Sequence, residues 1–345
     1  MRRLFEVYLE ALLSHRRTSG GRASPGLCEK AASEDIRLAK YGMKKEYGMP
    51  LVHKENFALR IHECDAYGHL NHVHYFHFMQ QVAYTACSTN GWDRQRFQDM
   101  GMLWVIRTSN IDYRKPILFG STITVETWVA TVRQSRSIRR YLFLNEEGEV
   151  CADAMSEWIL LDLDSGLPKK IGPEFIKDFY ESGESSVAAG ETDTKIARFE
   201  LGPRAAGAHV LDCRVDWRDL DLDWRVNNAV YVDWTEACGL DILAAYGWPF
   251  TRQIERGFGI VARRYEIEYL LPAVPGDKIE TVTWVSAVRR VSAERSYLIT
   301  RTADNACLAR AKALWAWVSL RDGSLIPLPD DFYADFKKNF SDGIG

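Results

Sequence analysis

The sequence lacks the features that mark several large classes of protein. No stretch comes near the roughly 18 consecutive apolar residues of a membrane-spanning helix, and no two of its seven cysteines have C-x-x-C spacing. Charge of one sign does not dominate, with 44 Lys and Arg against 47 Asp and Glu. These absences argue against a membrane span, a disulfide framework, a cysteine zinc site and a general attraction to nucleic acid. Scattered cysteines are typical of free thiols, so we expect a cytoplasmic protein.

The first 50 residues differ from the rest of the chain. Their only apolar stretch, residues 4–13, is interrupted by Glu6 and Glu10, which does not fit a signal peptide. Residues 16–25 are rich in Ser, Gly and Arg. We expect residues 1–50 to be a disordered extension or the product of an over-long gene model, with an organelle transit peptide left open as the alternative.

The sequence repeats itself at an offset of 156 residues, the spacing between Asp65 and Asp221. Without a gap, this offset aligns residues that have special structural uses: Gly91-Trp92 with Gly247-Trp248, Pro116 with Pro272, Gly120 with Gly276, and Trp128 with Trp284. Such a period is far above the roughly 20–50 residues of a solenoid repeat, so each unit is a small domain. We predict an extension at 1–50, unit one at 51–180, a linker at 181–204, unit two at 205–335 and a C-terminal tail at 336–345.

Both units show the same order of predicted elements. A strand (residues 56–62 and 209–216) leads through a polar loop into an apolar run of helical length (residues 75–88 and 231–246). Four segments rich in β-branched and aromatic residues follow, which is typical of strands. Because the helical run is apolar on most sides, we expect the sheet to enclose it. The pattern predicts an α+β fold, with two antiparallel sheets that each wrap around a central helix and pair edge to edge.

The loop before the first predicted helix holds the residues best suited to chemistry. Asp65 and His69 lie four positions apart on either side of Gly68, and the loop leads into the N-terminus of the helix. Unpaired backbone N–H groups and a partial positive charge at that terminus suit a carbonyl oxygen that becomes anionic. We predict that Asp65 acts as a nucleophile or as a general base on water, and that His69 positions the water or polarises the carbonyl.

The pattern Asp-x-x-Gly-His-Leu-Asn-x-x-x-Tyr resembles the hotdog-fold acyl thioesterases of the 4-hydroxybenzoyl-CoA thioesterase superfamily. The duplication, with Asp-Leu-Asp-Leu-Asp-Trp-Arg-Val-Asn-Asn in unit two, resembles the double-hotdog acyl-ACP thioesterases of plants and bacteria. The resemblance covers residues 51–335. It implies a tandem hotdog that forms an intramolecular pseudo-dimer and hydrolyses acyl-CoA or acyl-ACP thioesters in fatty acid metabolism, without a cofactor. A homodimer of such double units is also compatible with it.

The resemblance carries over to single residues. Asp65 falls on the family's catalytic aspartate, and His69 on the histidine of the Gly-His-x-Asn run. Asp221 falls on the same catalytic position in unit two, where acyl-ACP enzymes have Asp-x-Asn-x-His. This chain has Asp223 and Arg225 in place of that Asn and His. Because an arginine cannot shuttle a proton near neutral pH, unit one is favoured as the working site, with unit two completing the acyl pocket.

The same two loops and helices supply all the candidate site residues. The predicted catalytic residues are Asp65, His69 and Asp221. The predicted substrate-binding residues are Tyr67, Gly68, Asn71, His72, Tyr75, Asp223, Asn227 and Asn228. Three further candidates are Glu236, the residue Gln80 at its repeat-equivalent position, and Arg225.

Structural roles compete with several of these assignments. Asp65 and Asp221 also suit turns, and Asn227 and Asn228 suit helix caps. The four histidines between positions 69 and 77 lack metal-ligand spacing, so no metal is predicted.

Two other functions stay open at this point. The Asp-x-Asn-x-His arrangement is incomplete in both units, because unit one has Tyr67 in the middle position and unit two has Asp223 and Arg225. This fits a non-catalytic protein that binds acyl thioesters. A hotdog enoyl-thioester hydratase or dehydratase would also use an acid and a histidine, although at a different spacing.

Overall fold

The computed structural model describes residues 50–180, residue 196 and residues 199–341. The predicted N-terminal extension, except residue 50, and most of the predicted linker lie outside the described residues. Within the described ranges, no helix combines the length and the apolar character needed to cross a membrane.

The first repeat begins with strand β1 (His53–Ala58) and a 3-10 turn (Ile61–Glu63), where the sequence predicted a strand at 56–62. The apolar run forms helix α1 (His74–Thr89), close to its predicted bounds. The other elements are α2 (Arg94–Asp99), β2 (Met102–Tyr113), β3 (Thr122–Arg133), β4 (Arg136–Leu144), β5 (Val150–Asp162) and α3 (Pro173–Lys177).

The second repeat contains the same elements in the same order. It begins with β6 (His209–Arg214), a 3-10 turn (Trp217–Asp219) and the central helix α4 (Asn228–Ala245). It continues with α5 (Phe250–Glu255), β7 (Phe258–Tyr269), β8 (Lys278–Arg289), β9 (Ser292–Arg301), β10 (Ala306–Ser319) and α6 (Asp330–Phe336), followed by a 3-10 turn (Lys337–Asn339).

The ten strands form one antiparallel sheet in the order β1-β3-β4-β5-β2-β7-β10-β9-β8-β6. The repeats join where β2 pairs with β7, from Thr108 opposite Glu268 to Asp112 opposite Arg264. The predicted edge-to-edge pairing is therefore confirmed. It removes one exposed edge from each repeat and leaves β1 and β6 as the outer strands.

The two central helices lie inside this sheet, as predicted. Val82 on α1 and Val232 on α4 are fully buried, and one apolar core contains residues of both repeats. Phe76 of α1 packs edge to face on Tyr265 of β7, with ring centroids 5.8 Å apart. Because this core crosses the seam, the two hotdog units pack as one body.

The repeated Gly-Trp pair ends each central helix. Gly91 and Gly247 have φ of +76° and +77°, a left-handed conformation that glycine adopts without strain. The tryptophans that follow are fully buried, and each donates its indole N–H to a carboxylate 2.9 Å away: Trp92 to Asp178 and Trp248 to Asp335. The exact repetition of the pair in the sequence thus has a structural reason.

The described residues of the predicted C-terminal tail include buried side chains. Phe336 ends α6 in the core of the second repeat, and Asn339 is fully buried. The Asn339 amide donates to the backbone carbonyls of Gly207 and Thr283. Phe340 and Ser341 are also buried, and Phe332, Phe336 and Phe340 belong to one apolar cluster of the second repeat. Residues 342–345 lie outside the described residues.

Candidate active site

The carboxylate of Asp65 organises the loop that precedes α1. Its Oδ1 accepts hydrogen bonds from the backbone N–H groups of Tyr67 (2.8 Å) and His69 (3.1 Å). Gly68, with φ of +75°, makes the turn between them. Oδ1 of Asp65 therefore has the predicted structural role of holding the turn. Among the described residues, no group donates a hydrogen bond to the other oxygen, Oδ2, so Oδ2 is available to react with a substrate or with water.

The second repeat forms the same turn with different side chains. Asp221 Oδ1 accepts from the backbone N–H groups of Asp223 (2.8 Å) and Arg225 (3.3 Å). Trp224 replaces Gly68 and adopts φ of +58°. The turn geometry alone therefore does not separate the two aspartates.

The two aspartates differ in their position relative to a cavity of about 540 Å³. Asp65 lines this cavity and Asp221 does not. The first repeat contributes the α1 loop to the cavity wall, and the second repeat contributes α4 and its sheet. The predicted site residues on this wall are Asp65, Tyr67, His69, Asn71, His72, Tyr75 and Glu236. The cavity thus lies across the pseudo-dimer, with one repeat supplying the loop and the other most of the wall.

Burial changes the acid–base properties of the loop. It raises the pKa of Asp65 above that of an ordinary aspartate, and the nearby His69 opposes this shift. Burial also lowers the pKa of His69, so the neutral imidazole is favoured. A carboxylate with a raised pKa beside a neutral imidazole is a better proton acceptor than an exposed aspartate.

Glu236 reaches this loop from the other repeat. Its Oε1 accepts a hydrogen bond of 2.9 Å from Asn71 Nδ2 and lies 3.5 Å from Nδ1 of the partly buried His72. The Asn71 Oδ1 in turn accepts from the backbone N–H of Val73, directly before α1. Glu236 therefore supports the start of the helix on which the candidate site depends.

Aromatic rings line part of the same cavity. Tyr67 contacts Phe250 of α5, with ring centroids 5.2 Å apart. The Tyr67 ring also lies over Gly259, where an added Cβ would come within 2.9 Å of the Tyr67 hydroxyl. The glycine at this position of β7 therefore makes room for the tyrosine.

A smaller cavity of about 200 Å³ lies in the repeat-equivalent place, between α1 and the sheet of the first repeat. Gln80 and Asp223 line it, so these two candidates lie away from Asp65. Arg94 closes on Asp223 with an Nη2 to Oδ1 distance of 2.6 Å, and it also donates to the Leu222 carbonyl. An ion pair thus stands where the larger cavity has the Tyr67–Phe250 contact.

The other candidates of the second repeat line neither cavity. Asn227 caps α4, because its Oδ1 accepts from the backbone N–H of Ala229 (2.9 Å). The carbonyl of Asn228 accepts from the Tyr269 hydroxyl (3.0 Å). The structure therefore places Asp221, Arg225, Asn227 and Asn228 in local packing around the start of α4, away from both cavities.

Comparisons with known proteins identify the architecture. Residues 50–179 match the family model of the acyl-ACP thioesterase N-terminal domain, and residues 215–336 match that of the thioesterase-like superfamily. The two matches cover both repeats. The chain is a double-hotdog member of the thioesterase superfamily.

The relatives of this double-hotdog chain are distant. A chloroplastic palmitoyl-acyl carrier protein thioesterase of Gossypium hirsutum is 24% identical over 232 residues, which are 63% of this chain and 54% of the relative. The chain thus spans about half the length of the curated relatives it matches.

Two solved structures share its fold. A Lactobacillus plantarum protein described provisionally as an oleoyl thioesterase gives a TM-score of 0.67 at 17% identity, over 81% of this chain and 98% of its own. The 12:0-ACP thioesterase from Umbellularia californica gives 0.62 at 18% identity, over 76% and 93%.

Sequence reasoning missed several residues that line the larger cavity of the double hotdog. Phe250 and Gln253 lie on the short helix α5, which carries too few turns to show a helical period. Gly239 on α4 stands where the first repeat has Ala83. The repeat alignment contained the Gly–Ala difference, and this was the available signal that the two cavities differ.

No group of three or more His, Cys, Asp or Glu side chains that could hold a metal ion occurs in the part of the chain that the structure describes.

Proposed function

We propose that this double hotdog is a thioesterase that hydrolyses acyl thioesters of CoA or of acyl carrier protein to the free acid and the thiol. The observation that carries the proposal is the cavity beside Asp65: the carboxylate lines it, while Asp221 lines neither cavity. The names of the curated relatives, which include palmitoyl-, oleoyl- and dodecanoyl-ACP hydrolases, support the same reaction class.

The thioester would bind with its carbonyl oxygen toward the start of α1 and its acyl group in the cavity. Negative charge that develops on this oxygen is stabilised there by the helix terminus. Asp65 Oδ2 then either takes a proton from the attacking water or attacks the carbonyl carbon itself. In both routes the C–S bond breaks, water supplies the new carboxyl oxygen, and the thiolate leaves and takes up a proton.

His69, Asn71 and Glu236 have supporting roles in this proposal. His69 is neutral near pH 7 because burial lowers its pKa, so it can hold the water or the carbonyl by a hydrogen bond. Asn71 fixes the loop to α1, and Glu236 fixes Asn71. Neither Asn71 nor Glu236 needs to exchange a proton for this role.

The thiol carrier would enter past a basic rim. Arg114, Lys115 and Arg263 line the larger cavity and are exposed. Both CoA and the phosphopantetheine of a carrier protein bear phosphate, which such side chains bind. We propose a reducing compartment such as the cytoplasm for this reaction, supported by the six free cysteines among the described residues. A homodimer of double hotdogs stays a prediction that light scattering after size exclusion would test.

Thiol release from a panel of acyl-CoA and acyl-ACP thioesters tests the proposal. We expect turnover with the wild-type chain and none above background with Asp65→Asn. The non-catalytic alternative, which the replacement of the family Asn and His by Asp223 and Arg225 favours, predicts thioester binding by calorimetry without thiol release. An absorbance change with enoyl-CoA would instead indicate a hydratase.

A further inference from the structure

The larger cavity contains a buried positive charge that the proposed hydrolysis does not use. Arg295 of β9 lines the cavity with a relative exposure of 9%. Its Nη1 donates to Thr283 Oγ1 (3.3 Å) and to Asn339 Oδ1 (3.1 Å), which are both neutral acceptors. Among the described residues, no carboxylate forms an ion pair with this guanidinium, and its Nε and Nη2 have no hydrogen-bond acceptor.

Arg295 contacts β8 and the C-terminal segment, whereas the reacting groups lie on the α1 loop. The cavity is lined by two acids, Asp65 and Glu236, and both lie at the α1 loop. Arg295 instead lies against the C-terminal segment, with its guanidinium carbon 5.8 Å from the centre of the Phe336 ring. An acyl group that enters past Asp65 and fills the cavity would bring its far end toward this guanidinium.

An unpaired guanidinium strongly affects which acyl group can fill the cavity. Burial lowers the pKa of Arg295, which reflects the cost of holding its charge in this environment. A methyl-ended chain would displace water from the guanidinium without accepting a hydrogen bond from it, which is unfavourable. A carboxylate would form a charge-assisted pair with the free Nε and Nη2 donors.

A comparison with the first repeat shows which contacts of Arg295 belong to the fold and which feature is particular to the larger cavity. Arg139, the repeat equivalent, is also buried, and it donates to Thr127 Oγ1 and lies 5.7 Å from the Phe179 ring. The contacts with a threonine and a phenylalanine are therefore common to both repeats and belong to the fold. Arg139, however, lines the smaller cavity, whereas Arg295 lines the larger cavity together with Asp65.

We infer that the enzyme prefers acyl groups with a carboxylate at the far end, and that Arg295 binds this carboxylate. The inference rests on the proposed thioesterase function and names its substrate class: the monothioesters of dicarboxylic acids. Arg295 is then a specificity residue that takes no part in the chemical step.

Paired substrates of equal length test the inference. The probes are the CoA monothioesters of butanedioic, hexanedioic and octanedioic acid, the matching butanoyl-, hexanoyl- and octanoyl-CoA, and 8-hydroxyoctanoyl-CoA. We expect kcat/KM for the best diacid thioester to exceed that of its methyl-ended partner at least about tenfold, in line with a site whose polar group would otherwise stay unpaired. The hydroxylated chain should fall between the two.

Variants assign the preference to Arg295. Arg295→Met should remove it by lowering kcat/KM for the diacid thioester while leaving the methyl-ended one unchanged or improved. Arg295→Lys keeps the charge and should retain part of the preference, and the matched Arg139→Met should retain all of it. If Arg295→Met does not fold, competitive inhibition of the wild type decides, with octanedioate expected to inhibit more strongly than octanoate.

Other results overturn the inference. A wild-type preference for the methyl-ended or hydroxylated chain would do so, as would an equal loss for all substrates in Arg295→Met. These results leave the thioesterase proposal intact. If no thioester is hydrolysed, the proposed function fails by itself. Calorimetry of the wild type with octanedioate and octanoate then tests the Arg295 site, which equal or absent binding would disprove.

Discussion

Asn71 and Glu236 form a hydrogen bond of 2.9 Å although they belong to different repeats. Asn71 lies on the loop that Asp65 organises, and Glu236 lies on the central helix of the second hotdog. The candidate site is therefore complete only when the two units pack together. This provides a physical reason for the tandem arrangement: one hotdog supplies the reactive loop, while the other supports that loop and supplies the cavity wall.

Replacement of Asp65 should abolish activity while leaving the loop intact. Asn keeps an Oδ1 that can accept from the Tyr67 and His69 backbone N–H groups but loses the charge and basicity of the carboxylate. Loss of a general base costs about 10²- to 10⁴-fold, so we expect kcat for Asp65→Asn to fall by at least about 10²-fold in a thiol-release assay.

Asp221→Asn is the matched control, because Asp221 forms the same turn but does not line the cavity. It should keep kcat within about twofold of the wild type, with the same thermal midpoint as Asp65→Asn. Equal losses in the two variants would contradict the assignment of the working site to the first repeat.

Glu236→Ala should weaken activity without abolishing it. The change removes the acceptor of the Asn71 amide and the charge near His72. A hydrogen bond to a charged group is worth about 1.5–3 kcal/mol, which corresponds to roughly 10- to 100-fold in kcat/KM if the whole loss reaches the transition state.

Glu236→Gln keeps an acceptor for Asn71 and should recover part of this loss. Gln80→Ala, at the repeat-equivalent position in the smaller cavity, should have no effect. A loss in Gln80→Ala as large as in Glu236→Ala would show that the effect comes from general helix packing.

The repeat explains how much of the fold could be predicted from sequence. The two helical runs and the long strands appear twice at one offset, so each copy supports the assignment of the other. The observed bounds of α1 and α4 lie within three residues of the predicted bounds. The short helices α5 and α6 have six and seven residues, too few for a clear period. The sequence therefore missed the elements that bring Phe250 and Phe336 to the cavity.

The features of the candidate site that the sequence did not predict depend on contacts between the two repeats. Arg94 meets Asp223 and Tyr67 meets Phe250 only because the hotdogs pack in one particular orientation. No local pattern in the sequence encodes that orientation. The loop motif predicted Asp65, His69 and Asn71 together, since they lie within seven residues of one another.

The Arg94–Asp223 ion pair should contribute little to stability and nothing to activity. Each side chain is about one third exposed, and Arg225 lies 3.9 Å from the same carboxylate. Such pairs are typically worth about 0.2–1 kcal/mol. A double-mutant cycle with Arg94→Gln and Asp223→Asn, followed by urea unfolding, should give a coupling energy in this range with unchanged kcat/KM. A large drop in kcat/KM for Asp223→Asn would instead place the second repeat's loop in catalysis.

The acid limb of the pH profile should report Asp65. Hydrolysis needs the ionised carboxylate, so kcat/KM should fall as the pH drops through the Asp65 pKa, which burial raises above 3.8. Protonated His69 opposes this shift by its charge. His69→Gln removes that charge, so the Asp65 pKa should rise further and the limb should move to higher pH. His209→Gln, which alters a histidine bonded to Asp241 in the second repeat, should leave the limb in place. A limb that moves to lower pH in His69→Gln would exclude Asp65 as the titrating group.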